Sequence, residues 1–165
     1  MTQIRVVVTG DTHVGPRRRG PLPAALLAAC AEADHILHTG DVTDVTLLDE
    51  FAALAPLDGV AGNCDGWDVA ARVPDEQTVE IGGVRIALVH DPGPERDRRT
   101  RLRARFPGAR AVCFGHTHLP VCEDRDGFLL LNPGSPTERR RAPSHSYAEL
   151  TVGPHDAFAA RIVRL

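Results

Sequence analysis

The chain has 165 residues, a formal net charge of −3 and a pI of about 6.2. This length predicts a single domain over residues 1–165 that buries most of its apolar surface. The charge balance excludes a global basic field, and one Trp and one Tyr offer little for base stacking, so nucleic acid is not the expected partner. No segment reaches the ~18 consecutive apolar residues of a membrane span. No charged leader precedes the first apolar run, so we expect a cytoplasmic protein with no membrane partner.

The four cysteines lack CxxC spacing, which predicts free thiols in a reducing compartment. Cys30 and Cys113 lie within apolar runs and are expected in the core. Cys64 and Cys122 lie among polar residues.

The first third of the chain predicts alternating strands and helices. Ile4–Thr9 is a continuous apolar run, typical of a strand that is buried on both faces. The expected elements that follow are a helix, a strand, a second helix and a third strand, at Leu22–Ala33, His35–Thr39, Thr46–Ala55 and Leu57–Ala61. This β-α-β-α-β order predicts a parallel sheet.

The rest of the chain predicts hairpins around glycine-containing turns. The expected strands are Glu76–Ile81 with Val84–Val89, Ala111–Phe114, Val121–Arg125 with Phe128–Asn132, and a closing pair, His145–Val152 and Ala157–Leu165. Glu95–Arg105 is a candidate polar helix, and Pro136–Ser144 is the least regular stretch. A parallel half followed by hairpins suggests two packed sheets with helices outside.

Six short segments carry the chemistry, and most of them follow a predicted strand. They are Asp11-Thr12-His13, Gly40-Asp41, Gly62-Asn63-Cys64-Asp65, His90, Gly115-His116-Thr117-His118 and Asn132-Pro133-Gly134-Ser135. Sites in open α/β sheets lie outside the carboxyl ends of the strands, so these segments are expected to share one site. The first five segments supply carboxylate, amide and imidazole groups.

These groups form an oxygen and nitrogen donor set, which suits Mn, Fe, Ni or Zn. The candidate ligands are Asp11, His13, Asp41, Asn63, His90, His116 and His118. Seven ligands are too many for one ion, and a carboxylate can bridge, so we expect two adjacent metals that share Asp41. Asp11 and His13 alternate around Thr12, which would point both side chains to one side of an extended loop. Glycines beside the ligands allow sharp turns and close approach of the backbone.

This order of motifs resembles the calcineurin-like metallophosphoesterases, most closely the small single-domain phosphodiesterases of bacteria and archaea. The resemblance runs from Val6 to about Pro136. It implies a four-layer α/β/β/α sandwich of two mixed sheets and two divalent metal ions per chain, with Mn expected first and Ni, Fe or Zn as alternatives. It assigns metal one to Asp11, His13, Asp41 and His118, and metal two to Asp41, Asn63 (through its amide oxygen), His90 and His116.

Two metals about 3.5–4 Å apart can share a bridging water and activate it as hydroxide for in-line attack on phosphorus. No protein nucleophile is needed, so Cys64 is interpreted as neither a covalent catalyst nor a main ligand. Many members of the family carry His at the position of Cys64, where it contacts the phosphate or protonates the leaving group. A thiol is a poor proton donor near neutral pH, which favours phosphodiesters with good leaving groups as substrates.

Other positions leave alternatives open. Asp65 either orients a neighbouring ligand or serves as a simple turn residue. Asp91 stands where close relatives have a Gly/His-containing stretch, and it either alters substrate contacts or adds a carboxylate near metal two. The Asn132–Ser135 turn is expected to pack against the site with a structural role. His35, His38, His145 and His155 are interpreted as ordinary core or surface residues.

All 19 basic residues are arginines, and three clusters stand out. Arg17, Arg18 and Arg19 are candidate substrate contacts, because arginine can fork onto a phosphate, and residues 139–141 have the same potential. The alternative for both clusters is a solvated loop. The third cluster, at residues 96–105, is typical of an exposed helix face with local ion pairs.

The leading hypothesis is a metal-dependent phosphodiesterase that acts on a small phosphodiester. Its main alternative is a non-catalytic protein-binding scaffold of the same fold, as the retromer subunit of this superfamily exemplifies. A nuclease is a third alternative, but those relatives usually carry extra domains. A homo-oligomer is expected only by analogy with the family.

Overall fold

The computed structural model describes residues 3–15, 21–154 and 157–165. Its first elements are β1 (Ile4–Thr9), α1 (Ala24–Ala31), β2 (His35–His38), α2 (Thr46–Ala52) and β3 (Leu57–Gly59). Strands β1, β2 and β3 pair in parallel, as the β-α-β-α-β pattern predicts. Helices α1 and α2 and strands β2 and β3 end earlier than the sequence pattern indicates. Helix α1 also begins two residues later than predicted.

The second sheet is built mainly from the hairpin half of the chain. Its elements and the helices around them are α3 (Trp67–Ala70), β4 (Glu76–Ile81), β5 (Val84–Val89), α4 (Arg98–Arg105), β6 (Ala111–Phe114), β7 (Val121–Arg125) and β8 (Phe128–Asn132). The strand order is β4-β5-β6-β8-β7, in which β5, β6 and β8 are parallel and the two edge strands are antiparallel.

The closing strands return to the first sheet. β9 (Ser146–Val152) pairs antiparallel with β1, and β10 (Phe158–Arg164) pairs antiparallel with β9. The first sheet therefore has the order β10-β9-β1-β2-β3, and each sheet is mixed and five-stranded.

Burial follows the two-residue period of the strands and defines four layers. Val6 and Val8 of β1 face the second sheet, where they share one core cluster with Leu88 of β5. Val7 points the opposite way and packs with the first-layer helices, whereas α4 covers the outer face of the second sheet. The α/β/β/α sandwich of two mixed sheets is confirmed. Cys30 and Cys113 are buried in these cores as free thiols, as predicted.

Two local features differ from the predicted elements. Helix α4 begins at Arg98 rather than Glu95, because Asp97 has a left-handed backbone with φ of 54°. The four-residue helix α3 is not predicted, since one turn is too short to show helical periodicity. The stretch 136–144 is irregular, as expected, and hydrogen bonds to Thr12 and Ser135 anchor it to the site loops.

The topology brings the carboxyl ends of six strands, three from each sheet, to one edge of the sandwich. β1, β2 and β3 end at one edge of the first sheet, and β5, β6 and β8 end at one edge of the second. Five of the six polar segments follow one of these strands, and the sixth begins at Asn132, the last residue of β8. Among the described residues, no helix is long and apolar enough to cross a membrane.

Candidate metal centre

Seven polar side chains from both sheets converge at this shared edge. The first sheet contributes residues after β1, β2 and β3, and the second contributes residues after β5 and β6. They are the seven candidates proposed from the sequence: Asp11, His13, Asp41, Asn63, His90, His116 and His118.

One group of donors surrounds Asp11. The ligand atoms of Asp11, His13 and His118 all lie within 4.8 Å of one another. His118 Nε2 is 3.3 Å from Asp11 Oδ1 and 3.2 Å from His13 Nε2. Asp11 and His118 have no exposed surface, so this group lies at the bottom of the site.

A second group surrounds the amide oxygen of Asn63. Asn63 Oδ1 is 3.0 Å from His90 Nε2 and 2.8 Å from His116 Nδ1. Asn63 is exposed, whereas His90 is only 4% exposed. This group therefore connects the buried centre to solvent.

Asp41 lies between the two groups. Its Oδ2 atom is 3.5 Å from His13 Nε2 and also 3.5 Å from His90 Nε2. Its Oδ1 atom accepts a hydrogen bond from the Cys64 N–H at 2.8 Å. A single oxygen thus faces both groups, while the other oxygen holds the carboxylate in place.

Two histidines are oriented by backbone carbonyls behind them. His90 Nδ1 lies 2.8 Å from the Thr39 carbonyl oxygen, and His118 Nδ1 contacts the Glu138 carbonyl oxygen. A neutral imidazole that donates from Nδ1 presents the lone pair of Nε2 on its opposite side. In that tautomer, both rings aim an acceptor nitrogen at the centre. Thr39 and Glu138 act through their backbone, so no side-chain pattern could have revealed them.

The backbone at five of the seven candidates is left-handed. The φ values are 49° at Asp11, 45° at His13, 55° at Asp41, 69° at His116 and 59° at His118. The expectation of an extended loop around Thr12 is therefore wrong. The two side chains do share one side, but sharply turned loops place them there. Such conformations cost about 1–3 kcal/mol each and are concentrated at functional sites.

The donor set fits divalent cations. Asp11 Oδ2 is buried and has no hydrogen-bond partner among the described residues, a costly state for a carboxylate oxygen. Burial acts to raise the pKa of Asp41, but the neighbouring His90 and the Cys64 N–H outweigh it and hold that pKa well below its usual value. The Asp41 carboxylate is consequently ionised over the physiological pH range. Anionic and neutral oxygen donors with unprotonated imidazole nitrogens are the ligands that Mn, Fe, Ni or Zn accept.

The Asn132–Ser135 turn supports the loops from behind, as the sequence suggests. Asn132 Nδ2 donates to the Gly115 carbonyl at 2.9 Å, next to His116. The Ser135 hydroxyl donates to the Asp11 carbonyl at 2.7 Å. These bonds hold both left-handed loops in position.

Asp65 connects two further loops, so its role extends beyond a simple turn. Its carboxylate accepts the Thr43 N–H and the Gly62 N–H, both at 2.7 Å. The loop after Asp41 and the loop around Asn63 are thereby tied together.

Cys64 lies beside the first donor group but is not one of the seven candidate ligands. Its Sγ is within 4.8 Å of donor atoms of His13 and Asp41, and it accepts a hydrogen bond from Asn63 Nδ2 at 3.4 Å. Burial, followed by the Asp41 carboxylate, raises the pKa of the thiol to about 11. Cys64 is therefore protonated at neutral pH in the metal-free protein.

His38 is buried, as its place within a strand predicts, and it packs behind the site. Its Nδ1 accepts the Gly40 N–H at 3.2 Å, and its Nε2 is 3.2 Å from the Thr12 hydroxyl. Burial lowers the pKa of His38 to about 4, so the ring is neutral. It stabilises the loops that carry Asp11 and Asp41.

A cleft of about 280 Å³ opens beside the second donor group. Asn63 and His90 line it, together with Asp75, Asp91 and Arg105. Asp91 Oδ1 accepts the Gly93 N–H at 2.8 Å and so caps its own turn at the edge of this cleft. The candidate substrate contacts Arg17, Arg18 and Arg19 lie outside the described residues.

The fold and this site define a metallophosphoesterase, and comparison with known proteins agrees. Residues 4–154 match the model of the calcineurin-like phosphoesterase superfamily domain, so the chain belongs to this superfamily. A probable metallophosphoesterase of Methanocaldococcus jannaschii is 36% identical over 159 residues, which cover 94% of this chain and 79% of that protein. A similar protein of Bacillus subtilis is 36% identical over 135 residues, which cover 79% of this chain and 75% of that protein.

Solved structures share the fold over nearly the whole chain. A Thermotoga maritima protein has a TM-score of 0.73 at 31% identity, with 98% of this chain and 99% of that chain covered. Vps29 of Entamoeba histolytica, solved with zinc, has a TM-score of 0.76 at 23% identity, with coverage of 98% and 99%. An archaeal phosphodiesterase has a TM-score of 0.66 at 19% identity, with coverage of 97% and 100%. At these last two identities the likeness concerns the fold alone.

Gly62 provides a test of the close packing around Asp41. A Cβ atom at this position would lie 2.4 Å from the Asp41 backbone nitrogen and 2.2 Å from Asp41 Oδ1. Gly62→Ala should therefore lower the free energy of unfolding in urea, with a chelator present, by about 1–3 kcal/mol. Gly15→Ala is the control, because among the described residues its Cβ would meet only Thr43, at 3.8 Å or more. Equal stability of the two variants would contradict the packing described here.

Proposed function

We propose that the protein is a phosphodiesterase with a dinuclear metal centre that acts on small phosphodiesters. The observation that carries this proposal is the convergence of seven oxygen and nitrogen donors in two groups that share Asp41 Oδ2. A cluster of acidic groups alone would be weak support for a metal centre. Here five separate loops contribute carboxylate, imidazole and amide donors.

The residues divide between two cation sites. Asp11, His13, Asp41 and His118 would hold the first cation, and Asp41, Asn63, His90 and His116 would hold the second. Mn is the proposed native ion, with Ni, Fe or Zn as alternatives that this donor set also accepts. When bound, a pair of divalent cations activates water at neutral pH and offsets the charge that develops on the phosphoryl group.

The chain contributes rigid positioning of these donors. The Thr39 and Glu138 carbonyls fix the rings of His90 and His118, and the Cys64 N–H fixes the Asp41 carboxylate. Preorganised donors need no rearrangement during the reaction, which is the main source of electrostatic catalysis. No side chain is required as a nucleophile.

Cys64 supports a preference for diesters. By its resemblance to the family, it occupies the position at which many members carry a His that contacts the phosphate or protonates the leaving group, and its thiol holds its proton well above neutral pH. Esters whose leaving group needs a proton should therefore react slowly, whereas diesters with good leaving groups depend less on an acid. The cleft beside Asn63 and His90 offers room for one ester substituent of such a diester.

The alternative is a non-catalytic scaffold that binds other proteins. Its support is the fold shared with Vps29, a similarity below 25% identity. A scaffold has no need of a buried Asp11 Oδ2 atom without a partner among the described residues, or of strained loops that aim donors at one centre. These features favour the enzyme.

Removing the shared carboxylate tests the dinuclear site. Asp41→Asn should bind less than two metal ions per chain and should hydrolyse bis-p-nitrophenyl phosphate at least about 100-fold more slowly, since one donor serves both cations. Metal content is measured by mass spectrometry after reconstitution with Mn. Asp49→Asn, which changes an exposed carboxylate paired with Arg72, is the matched control. Full metal content and normal turnover in Asp41→Asn would refute the shared site.

Restoring an acid tests the diester preference. Cys64→His should speed hydrolysis of an alkyl phosphate monoester by up to about 10²–10⁴-fold, because an imidazolium can protonate an alkoxide leaving group. The same change should affect bis-p-nitrophenyl phosphate much less. Cys122→His, at an exposed cysteine of β7, serves as control. If both substrates respond equally to Cys64→His, the thiol does not set the preference.

A further inference from the structure

Arg140 projects from a turn that is firmly attached to the metal-site loops. Arg139 and Ala142 form a backbone hydrogen bond of 2.7 Å across this turn, and Ala142 is buried. Just before it, the Thr137 hydroxyl donates to the Thr12 carbonyl at 2.8 Å, and the Glu138 carbonyl contacts His118 Nδ1. The turn is therefore held on both the Asp11 and the His118 loops.

The guanidinium of Arg140 lies at the open side of the site. Its Nη1 donates to the His116 carbonyl at 3.2 Å, the one hydrogen bond found for this guanidinium within residues 3–15, 21–154 and 157–165. A guanidinium has five N–H donors, so most remain for a ligand. Arg140 also has a left-handed backbone with φ of 46°, a strained conformation like those at the five donors below it.

The His116 carbonyl that Arg140 binds belongs to a residue of the second donor group. His116 Nδ1 lies 2.8 Å from Asn63 Oδ1, so the guanidinium is anchored directly on this group. Asn63, its neighbour Cys64 and Arg140 are all exposed, so the guanidinium lies on the solvent side of the second donor group. A phosphate bound at this group would have the remaining N–H donors of the guanidinium beside it.

We propose that Arg140 binds the substrate phosphate and supplies the cationic contact that Cys64 cannot make. This inference rests on the proposed function, since it concerns the phosphate held at that site. Arginine matches phosphate with two parallel N–H···O bonds, and its charge persists over the whole physiological pH range. It binds and orients the phosphate but donates no proton, which agrees with a preference for diesters over esters that need an acid.

The test compares Arg140→Ala with Arg141→Ala, a change of the same charge at the next residue of the same turn. Binding of inorganic phosphate to the Mn-loaded proteins is measured by calorimetry, and kcat and KM are measured with bis-p-nitrophenyl phosphate. Arg140→Ala should weaken phosphate binding by about 10- to 100-fold with unchanged Mn content, as expected for charge-assisted hydrogen bonds. Arg140→Lys should recover part of this loss, and Arg141→Ala should stay within about twofold of the original protein.

The outcomes separate this inference from the proposed function. If Arg140→Ala binds phosphate as well as Arg141→Ala does, the inference is overturned, even when both proteins remain active diesterases. If phosphate binding depends on Arg140 but the original protein hydrolyses no ester, the phosphate site stands and the proposed function falls.

A double variant tests whether Arg140 stands in for the missing imidazole. In the Cys64→His background a second cation faces the phosphate, so Arg140→Ala should cost less affinity than it does in the original protein. Equal losses in the two backgrounds would show that the contributions are independent and would overturn this part of the inference.

Discussion

The position of Asp41 Oδ2 is the constraint on which the site depends. This oxygen lies 3.5 Å from a histidine of each donor group, and one of those histidines follows β1 of the first sheet while the other follows β5 of the second. The two sheets must therefore pack so that their strand ends meet at Asp41. Gly40 allows this approach, because a Cβ atom there would lie only 2.7 Å from His90 Nδ1 of the second sheet.

The arrangement is costly, and hydrogen bonds from behind the site offset the cost. Left-handed loops oppose folding of the metal-free chain, and so does the buried Asp11 Oδ2 atom, which has no partner in the part of the chain that the structure describes. The Asn132–Ser135 turn, Asp65 and His38 counter this by binding backbone groups of the same loops. Bound cations would stabilise the folded state further by mass action. We therefore interpret the strain as preorganisation of a metal site.

Much of the fold could be predicted because the strands have clear apolar patterns. The continuous apolar run that contains Val6, Val7 and Val8 predicts a strand buried on both faces, and polar residues after several strands predict a site at one edge. Two backbone features could not be predicted, because side-chain patterns do not encode them. They are the left-handed loops at Asp11 and His116 and the carbonyls that orient two histidines. The sequence indicates residues 139–141 as candidate phosphate contacts, but only tertiary contacts distinguish Arg140 from the neighbouring arginines.

The most direct test of the account is a crystal structure of the Mn-reconstituted protein with anomalous diffraction recorded at the Mn absorption edge. The account predicts two anomalous peaks per chain, with Asp41 in contact with both. One peak should also contact Asp11, His13 and His118, and the other should contact Asn63, His90 and His116. A single peak, or two peaks that do not share Asp41, would contradict the dinuclear centre.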